Sequence, residues 1–421
     1  MNNAAMKDVT PPMALGAAMQ RMRAAIVPIA RTERVALADA AGRVLATDVT
    51  ATADVPPFDR ALMDGYAVRA DDTTGATPDT PARLAWRGVT YTGEQPGAAV
   101  ATGSCIGIAT GAVMPHGADA VVMVEHTART PAAAPDDAVA PAPDDNHVVL
   151  VYRPVAARQN VGRRGGDLAA GDLVGQAGDH LTPARLGALA AAGATFVDVY
   201  ARPLVAIAST GNEVVAPGTP LAPGQIHDIN RFTLPPIVTG NGGIARVHDT
   251  LRDERDHLHA FFDDVRDADI VIVSGGSSVG ERDLLAGVVA ERGEIIFHGI
   301  AVRPGKPTLL ARVGGSLVLG LPGNPTSCLS NAYILLVPML RAVARLGPWR
   351  PEQRTLPLAQ TVANTSGRHV FFSVRIEEGV AVPAFKGSGE ITSLSRADGY
   401  IEIPPDVPQV EAGSPVTVTM F

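Results

Sequence analysis

Three acids stand where chemistry could use them. Glu213 in TGNE, Asp253 in LRDERD and Asp283 in VGERD each follow a strand-like run or open a helix-like one. Hard carboxylate oxygens suit Mg2+, which takes one or two carboxylates and leaves its other positions to water and substrate phosphates. Their complement is VRPGKP (Val302 to Pro307), where a stiff Pro-Gly turn presents Arg303 and Lys306 as two cations for a dianion. Two further strings offer backbone amides. SGGSSVG (Ser274 to Gly280) carries Gly275, Gly276 and Gly280 for tight turns and close approach to a phosphate or pyrophosphate. LPGNP (Leu321 to Pro325) opens a helix whose first turn holds Thr326 and Ser327, with Asn324 at the cap position and Pro325 at the first helical one.

Each feature also has a plainer reading. The acids can be caps or ion-pair partners, the cations solvated surface charges, and SGGSSVG an ordinary strand-to-helix turn. The glycine string lacks both GxGxxG spacing and the Walker lysine, which argues against dinucleotide and P-loop sites. The ten histidines form no HExxH group, and His257 and His259 face different sides of a helix. There is no GxSxG elbow, so nucleophilic serine chemistry has no support.

The elements that must position these residues follow from periodicity. Leu15, Met19, Met22 and Ile26 mark an amphipathic helix from Met13 to Val27. Short β-like runs dominate from about Thr50 to Tyr152, including Tyr66 to Val68, Gly107 to Thr110 and Ala120 to Val124. Within them, Thr130 to Asp145 is nearly all Ala, Pro and Asp, a composition for a surface insertion. A helix over Leu181 to Ala192 leads to apolar strands at Leu204 to Ser209, Ala245 to Asp249, Ile270 to Ser274, Ile295 to Phe297, Thr308 to Ala311 and Leu317 to Gly320. Helices over Glu254 to Arg266, Arg282 to Glu291 and Thr326 to Leu346 alternate with them, as in a doubly wound α/β domain. In such a sheet ligands bind at the carboxyl ends of the strands, where the motifs stand. Pro235-Pro236 should shorten or kink the first helix of this domain. Beyond Pro348 the chain returns to β-like runs such as Val370 to Ile376 and Tyr400 to Ile403.

Length and composition bound the rest. At 421 residues, with 46% hydrophobic and 19% charged, the chain can bury the cores of two to four domains. A net charge of −8 argues against a nucleic-acid partner. Cys105 and Cys328 are too few for a disulfide framework and fit a reducing cytoplasm. Neither a secretory leader nor an apolar run of bilayer length is apparent, so no membrane partner is expected.

DVPPFDRALMDGYAV (Asp54 to Val68), ATGAVMPHGADAVV (Ala109 to Val122) and GRRGGDLAAGD (Gly162 to Asp172), continued by STGNE, SGGSSVG, RPGKP and LPGNP, resemble the molybdopterin molybdenumtransferase family, which includes the E domain of gephyrin. The resemblance spans most of the chain. It implies an elongated homodimer of multidomain α/β subunits: a helical and extended linking domain (11–50 with 155–200), an inserted β-rich domain (51–154), a doubly wound molybdopterin-binding α/β domain (201–347) and a C-terminal β domain (348–421). It further implies insertion of molybdate into adenylyl-molybdopterin with release of AMP. The adenylate would lie along Gly275, Gly276, Ser277, Ser278 and Gly280 and along Pro322, Gly323, Asn324 and Pro325. Mg2+ would engage its pyrophosphate near Asp283 and Glu213. Molybdate would be held by Arg303, Lys306 and Ser327, and from the last domain by Arg368 and Ser388. Asp253 and Asp167 are further family positions, and Asp64 and Thr110 would reach the site from a partner subunit. Arg303 stands where some members have Lys, and Ser277 where Val is frequent. Contact with the adenylyltransferase that makes the substrate is a further implication. Alternative readings are that adenylyltransferase itself, whose fold resembles the α/β domain, and a gephyrin-like scaffold.

Overall fold

The computed structural model describes residues 11–130, 147–276 and 284–421. The expected surface insertion therefore lies, beyond Thr130, outside the described residues, as do Ser277, Ser278, Gly280 and Asp283. The chain divides into two compact units, one of 1–33, 42–46 and 198–421, the other of 34–41 and 47–197.

Helix α1 (Leu15–Ala25) belongs to the first unit, and buries Ala18 and Met22 in the core of its α/β body. The second unit holds a six-stranded sheet. Its strands are β1 (Gly65–Val68), β2 (Ala82–Thr90), β3 (Ser104–Ile108), β4 (Ala120–Met123), β5 (Thr127–Arg129) and β6 (Val148–Val151), in the order β4-β1-β3-β2-β6-β5. The Gly107 to Thr110 expectation shifts upstream, because Ala109 and Thr110 leave the ladder to close a turn. Helix α2 (Pro183–Ala191) follows, capped by the Thr182 hydroxyl, which accepts from the Arg185 amide.

The α/β body resumes the first unit. Its elements are β7 (Leu204–Ser209), α3 (Asn230–Gly240), β8 (Ile244–Val247), α4 (Arg255–Asp264), β9 (Ile270–Ser274), α5 (Leu284–Arg292), β10 (Gly293–His298), β11 (Val302–Arg303), β12 (Leu309–Val313), β13 (Ser316–Leu321), α6 (Pro325–Asn331) and α7 (Val337–Val343). The sheet order is β8-β7-β9-β13-β12-β10; β7 to β9 and β13 are parallel, and β12 and β10 add an antiparallel edge. Alternation along the strands feeds two cores. Val205, Ile207, Ile270, Ile272, Leu317 and Leu319 pack with α1, α3, α6 and α7, while Ala206, Ala208, Val271, Val273 and Val318 pack with α4 and α5. Successive side chains point to opposite faces, so both faces must be covered.

Pro235 and Pro236, expected to shorten or kink α3, do not end it: the helix runs through both for 11 residues. A proline in a helix interior costs about 3 kcal/mol, but burial of Leu234, Ile237 and Val238 offers roughly 2 kcal/mol each. A helix of bilayer length does occur: Pro325–Val343, 19 residues continuous through a π turn at Ala332–Leu336, contains an 18-residue window of mean hydropathy 1.3. Most of it is buried inside the fold, as in the core helix of an α/β domain.

The C-terminal sheet consists of β14 (Gln353–Pro357), β15 (His369–Glu377), β16 (Val380–Pro383), β17 (Gly399–Ile403) and β18 (Pro415–Met420). Its order is β11-β15-β17-β18-β14, with β16 on β15. Thus β11, expected to lie in a turn within the α/β domain, is the edge of this second sheet, pairing Val302 with His369 and Arg303 with Val370. Pro304 and Pro307 lack the amides needed to prolong a ladder, so this two-residue strand is defined by its distant partner.

Candidate active site

Strands β7, β9 and β13 end level, because Ser209 pairs with Ser274 and Ser274 with Leu321. The residues after them, Thr210, Gly275 and Pro322, therefore lie side by side at the carboxyl edge of the sheet, the place where ligands bind in this class of fold. They line a cleft of about 650 Å3. The Gly275 amide donates to Leu321 O at 3.0 Å, and the Thr210 amide to Ser274 O at 2.8 Å. Gly275 has φ +100°, and a Cβ there would lie 2.5 Å from Thr210 O. Only glycine meets both constraints.

Glu213 and Asp253 line the same cleft. The Gly211 amide donates to Leu251 O at 3.2 Å, and the Asp253 amide to Asn212 Oδ1 at 3.3 Å, so the TGNE turn and the Asp253 loop are tied together. Burial and the adjacent Glu213 charge push the Asp253 carboxyl above the usual Asp range, partly offset by polar contact with Thr210 and Asn212. Two crowded carboxylates at the mouth of amide-rich loops form a set that a divalent cation would neutralise.

Sequence reasoning passed over two residues of this wall. Asn230 is buried, and its Nδ2 donates to Ser274 Oγ at 2.6 Å and to Gly323 O at 2.9 Å, joining the two glycine-bearing loops. Asp228 is also buried and accepts from Ser209 Oγ at 2.9 Å and the Arg231 amide at 3.0 Å. The only signal in the chain is the polar HDIN string at the entrance to α3. Asn324 corrects another expectation. It occupies the cap position of α6, but its side chain makes no cap and donates instead to Ser388 Oγ at 3.1 Å.

That contact leads to a second compartment of about 490 Å3, which shares Pro307, Pro322 and Asn324 with the first. Arg303, Lys306, Ser327, Arg368 and Ser388 all line it, together with Ser366 and Lys386, which sequence reasoning missed. Register explains the convergence: β11 pairs in parallel with the start of β15, Val302 with His369 and Arg303 with Val370, so Arg368 stands one residue ahead of the short ladder that carries Arg303. The turn carrying Lys306 is braced from beneath by the fully buried Asn331, whose Nδ2 donates to Gly305 O at 2.8 Å and Thr308 Oγ1 at 2.6 Å. The loop 386–390 is fixed to α6 through Thr326, whose amide donates to Ser388 O at 3.1 Å and hydroxyl to Glu390 O at 2.9 Å.

Asp64, Thr110 and Asp167 belong to the other unit. Asp64 Oδ1 accepts from the Thr110 amide at 2.7 Å and hydroxyl at 3.0 Å, which holds its carboxyl below the usual range. Asp167 is exposed, its amide donating to Val55 O at 3.0 Å.

Comparison with known proteins agrees with this architecture along the chain. Residues 13–193 match the family model "MoeA N-terminal region (domain I and II)", 206–342 the "Probable molybdopterin binding domain" and 355–421 the "MoeA C-terminal region (domain IV)". A molybdopterin molybdenumtransferase 2 from Mycobacterium tuberculosis is 34% identical over 95% of this chain and 97% of its own. A molybdopterin molybdenumtransferase from Haemophilus influenzae is 31% identical over 93% of this chain and 94% of its own. A crystal structure of a molybdopterin biosynthesis MoeA protein from a Pyrococcus species superposes with TM-score 0.81 at 38% identity, covering 97% of this chain and 99% of that one. The chain belongs to the molybdopterin molybdenumtransferase family.

Proposed function

We propose that the protein is a transferase of molybdenum-cofactor synthesis that inserts molybdate into adenylyl-molybdopterin and releases AMP. The observation that carries this reading is the pair of adjoining compartments, one walled by carboxylates and glycine amides, the other by cations and hydroxyls. The adenylate's pyrophosphate suits the first, where Gly275, Gly276 and Gly323 allow close backbone approach. Molybdate, a tetrahedral dianion, suits the second, held by Arg303, Lys306 and Arg368 with hydroxyls from Ser327 and Ser388. The shared wall at Pro307, Pro322 and Asn324 sets the oxyanion beside the bound adenylate, and that proximity is the main catalytic device.

Glu213 and Asp253, crowded together and with one carboxyl resisting ionisation, fit a Mg2+ ion; Asp283 is the third acid of this proposal. Bound there, the ion would offset charge on the departing phosphate. The chain's own part is to orient both substrates and exclude competing water, and no covalent enzyme intermediate is needed. We further propose a cytoplasmic homodimer in which Asp64 and Thr110 of the partner subunit complete the site, and which takes its labile substrate by contact with the adenylyltransferase. The decisive experiment incubates the protein with adenylyl-molybdopterin, Mg2+ and molybdate and measures AMP. Molybdate-dependent AMP release supports the reading; release of pyrophosphate from ATP and molybdopterin would replace it with adenylyl transfer. Light scattering tests the dimer, and a monomer removes the shared role of Asp64 and Thr110.

A further inference from the structure

We infer that Lys386 is a specificity-determining residue of the oxyanion compartment, the cation that selects doubly charged tetrahedral oxyanions; the inference rests on the insertase reading above. Three cations, Arg303, Lys306 and Arg368, already line this compartment, and Lys386 adds a fourth from the C-terminal domain. Among the described residues no carboxylate lines it, and none of the four has an ion-pair partner. Cations on a protein with net charge −8 normally find acids. Here four stand together without an ion-pair partner among the described residues, a self-repelling arrangement that an anion relieves.

The placement of Lys386 is built rather than incidental. Its amide donates to the fully buried Ser393 hydroxyl at 3.0 Å, and the preceding Phe385 ring packs on Phe372 with centroids 5.4 Å apart. Beyond it, Ser388 and Glu390 are hydrogen-bonded to Asn324 and Thr326 at the start of α6. Its main chain is thus held on both sides, while the side chain stays exposed at the rim. A rim cation acts through capture and charge selection rather than through bond-making. In the reaction the oxyanion must also meet the anionic sulfurs of the dithiolene. Two anions then share one compartment, and a fourth positive charge reduces their mutual repulsion.

The test compares the wild type with Lys386→Gln and Lys386→Arg in two measurements. Calorimetry with tungstate (charge −2) and perrhenate (charge −1), both tetrahedral, reads selection by charge without the labile substrate. Lys386→Gln should weaken tungstate about tenfold and perrhenate by only about threefold, and Lys386→Arg should restore both. In molybdate-dependent AMP release, Lys386→Gln should raise the KM for molybdate about tenfold and leave kcat within about twofold. Equal loss for the two anions, an unchanged tungstate affinity, or failure of Arg to rescue overturns the role of Lys386. Absence of AMP release from the wild type overturns the insertase reading instead, which keeps the two failures apart.

Discussion

The acidic cleft and the cationic compartment are neighbours with a common wall, yet they are built in opposite ways. The cleft is built mainly on one sheet: three parallel strands end level, and side-chain hydrogen bonds such as Asp228 with Ser209 and Asn230 with Ser274 tie its wall together. The cationic compartment is assembled from two sheets, with Arg303 and Lys306 flanking the turn between them and Arg368 and Lys386 supplied by the last domain. Its four cations have no ion-pair partner among the described residues. A site made by one sheet can be rigid before substrate arrives. A site shared by two sheets depends on their contact, and can exchange anions at lower cost in broken hydrogen bonds.

Substitutions on the two sides should accordingly fail differently. The largest effect is expected from Asp253→Asn, which removes the negative charge and one carboxylate oxygen from the proposed Mg2+ and pyrophosphate side of the cleft. AMP release at saturating molybdate should fall about 100-fold, with a higher Mg2+ requirement in a titration. Full activity at ordinary Mg2+ would detach Asp253 from the chemistry. Next comes Asn230→Ala. Loss of two buried hydrogen bonds that link the cleft loops should cost about 2 kcal/mol in urea unfolding and also slow AMP release. A loss of stability with unchanged kinetics would mean that the loops hold their places without this residue.

On the cationic side, Lys306→Ala should raise the molybdate concentration for half-maximal rate about tenfold, with thermal stability unchanged, since no ion pair is lost. An unchanged molybdate response would count against the oxyanion site. The smallest effect concerns pH. The folded pKa of Asp253 is raised, so ionising it in the fold is unfavourable, and this penalty grows as pH rises from the ordinary Asp range through the folded value. Asp253→Asn should therefore raise the melting temperature of the metal-free protein slightly at pH 7, and the gain should vanish below the ordinary Asp range. Mg2+ should stabilise the wild type more than the variant at equal concentration. A gain independent of pH would assign it to packing rather than charge.

Much of this was legible in the chain. Apolar runs at Leu204 to Ser209 and Ile270 to Ser274 coincide with β7 and β9, since strands buried on both faces leave an unmistakable pattern. Glycine strings at strand ends marked the cleft because only glycine tolerates φ +100° with a neighbouring carbonyl where a Cβ would sit. Local pattern misled where distant packing decides: the prolines of α3, outweighed by core burial, and the side chain of Asn324, drawn from its cap to Ser388. Asn230 and Asp228 were invisible because a buried hydrogen-bonding residue carries no periodic signature of its partners.

By itself, then, the sequence determined which segments become strands and helices, where glycine is obligatory, and which acids and cations stand at strand ends. All of these depend on the chemistry of neighbouring residues. Tertiary structure alone decided that Arg303, Arg368 and Lys386 line one compartment and that this cationic compartment borders the carboxylate cleft. Those meetings depend on the pairing of β11 with β15 and on the docking of the 386–390 loop against α6, contacts between residues some 60 positions apart that no local pattern specifies.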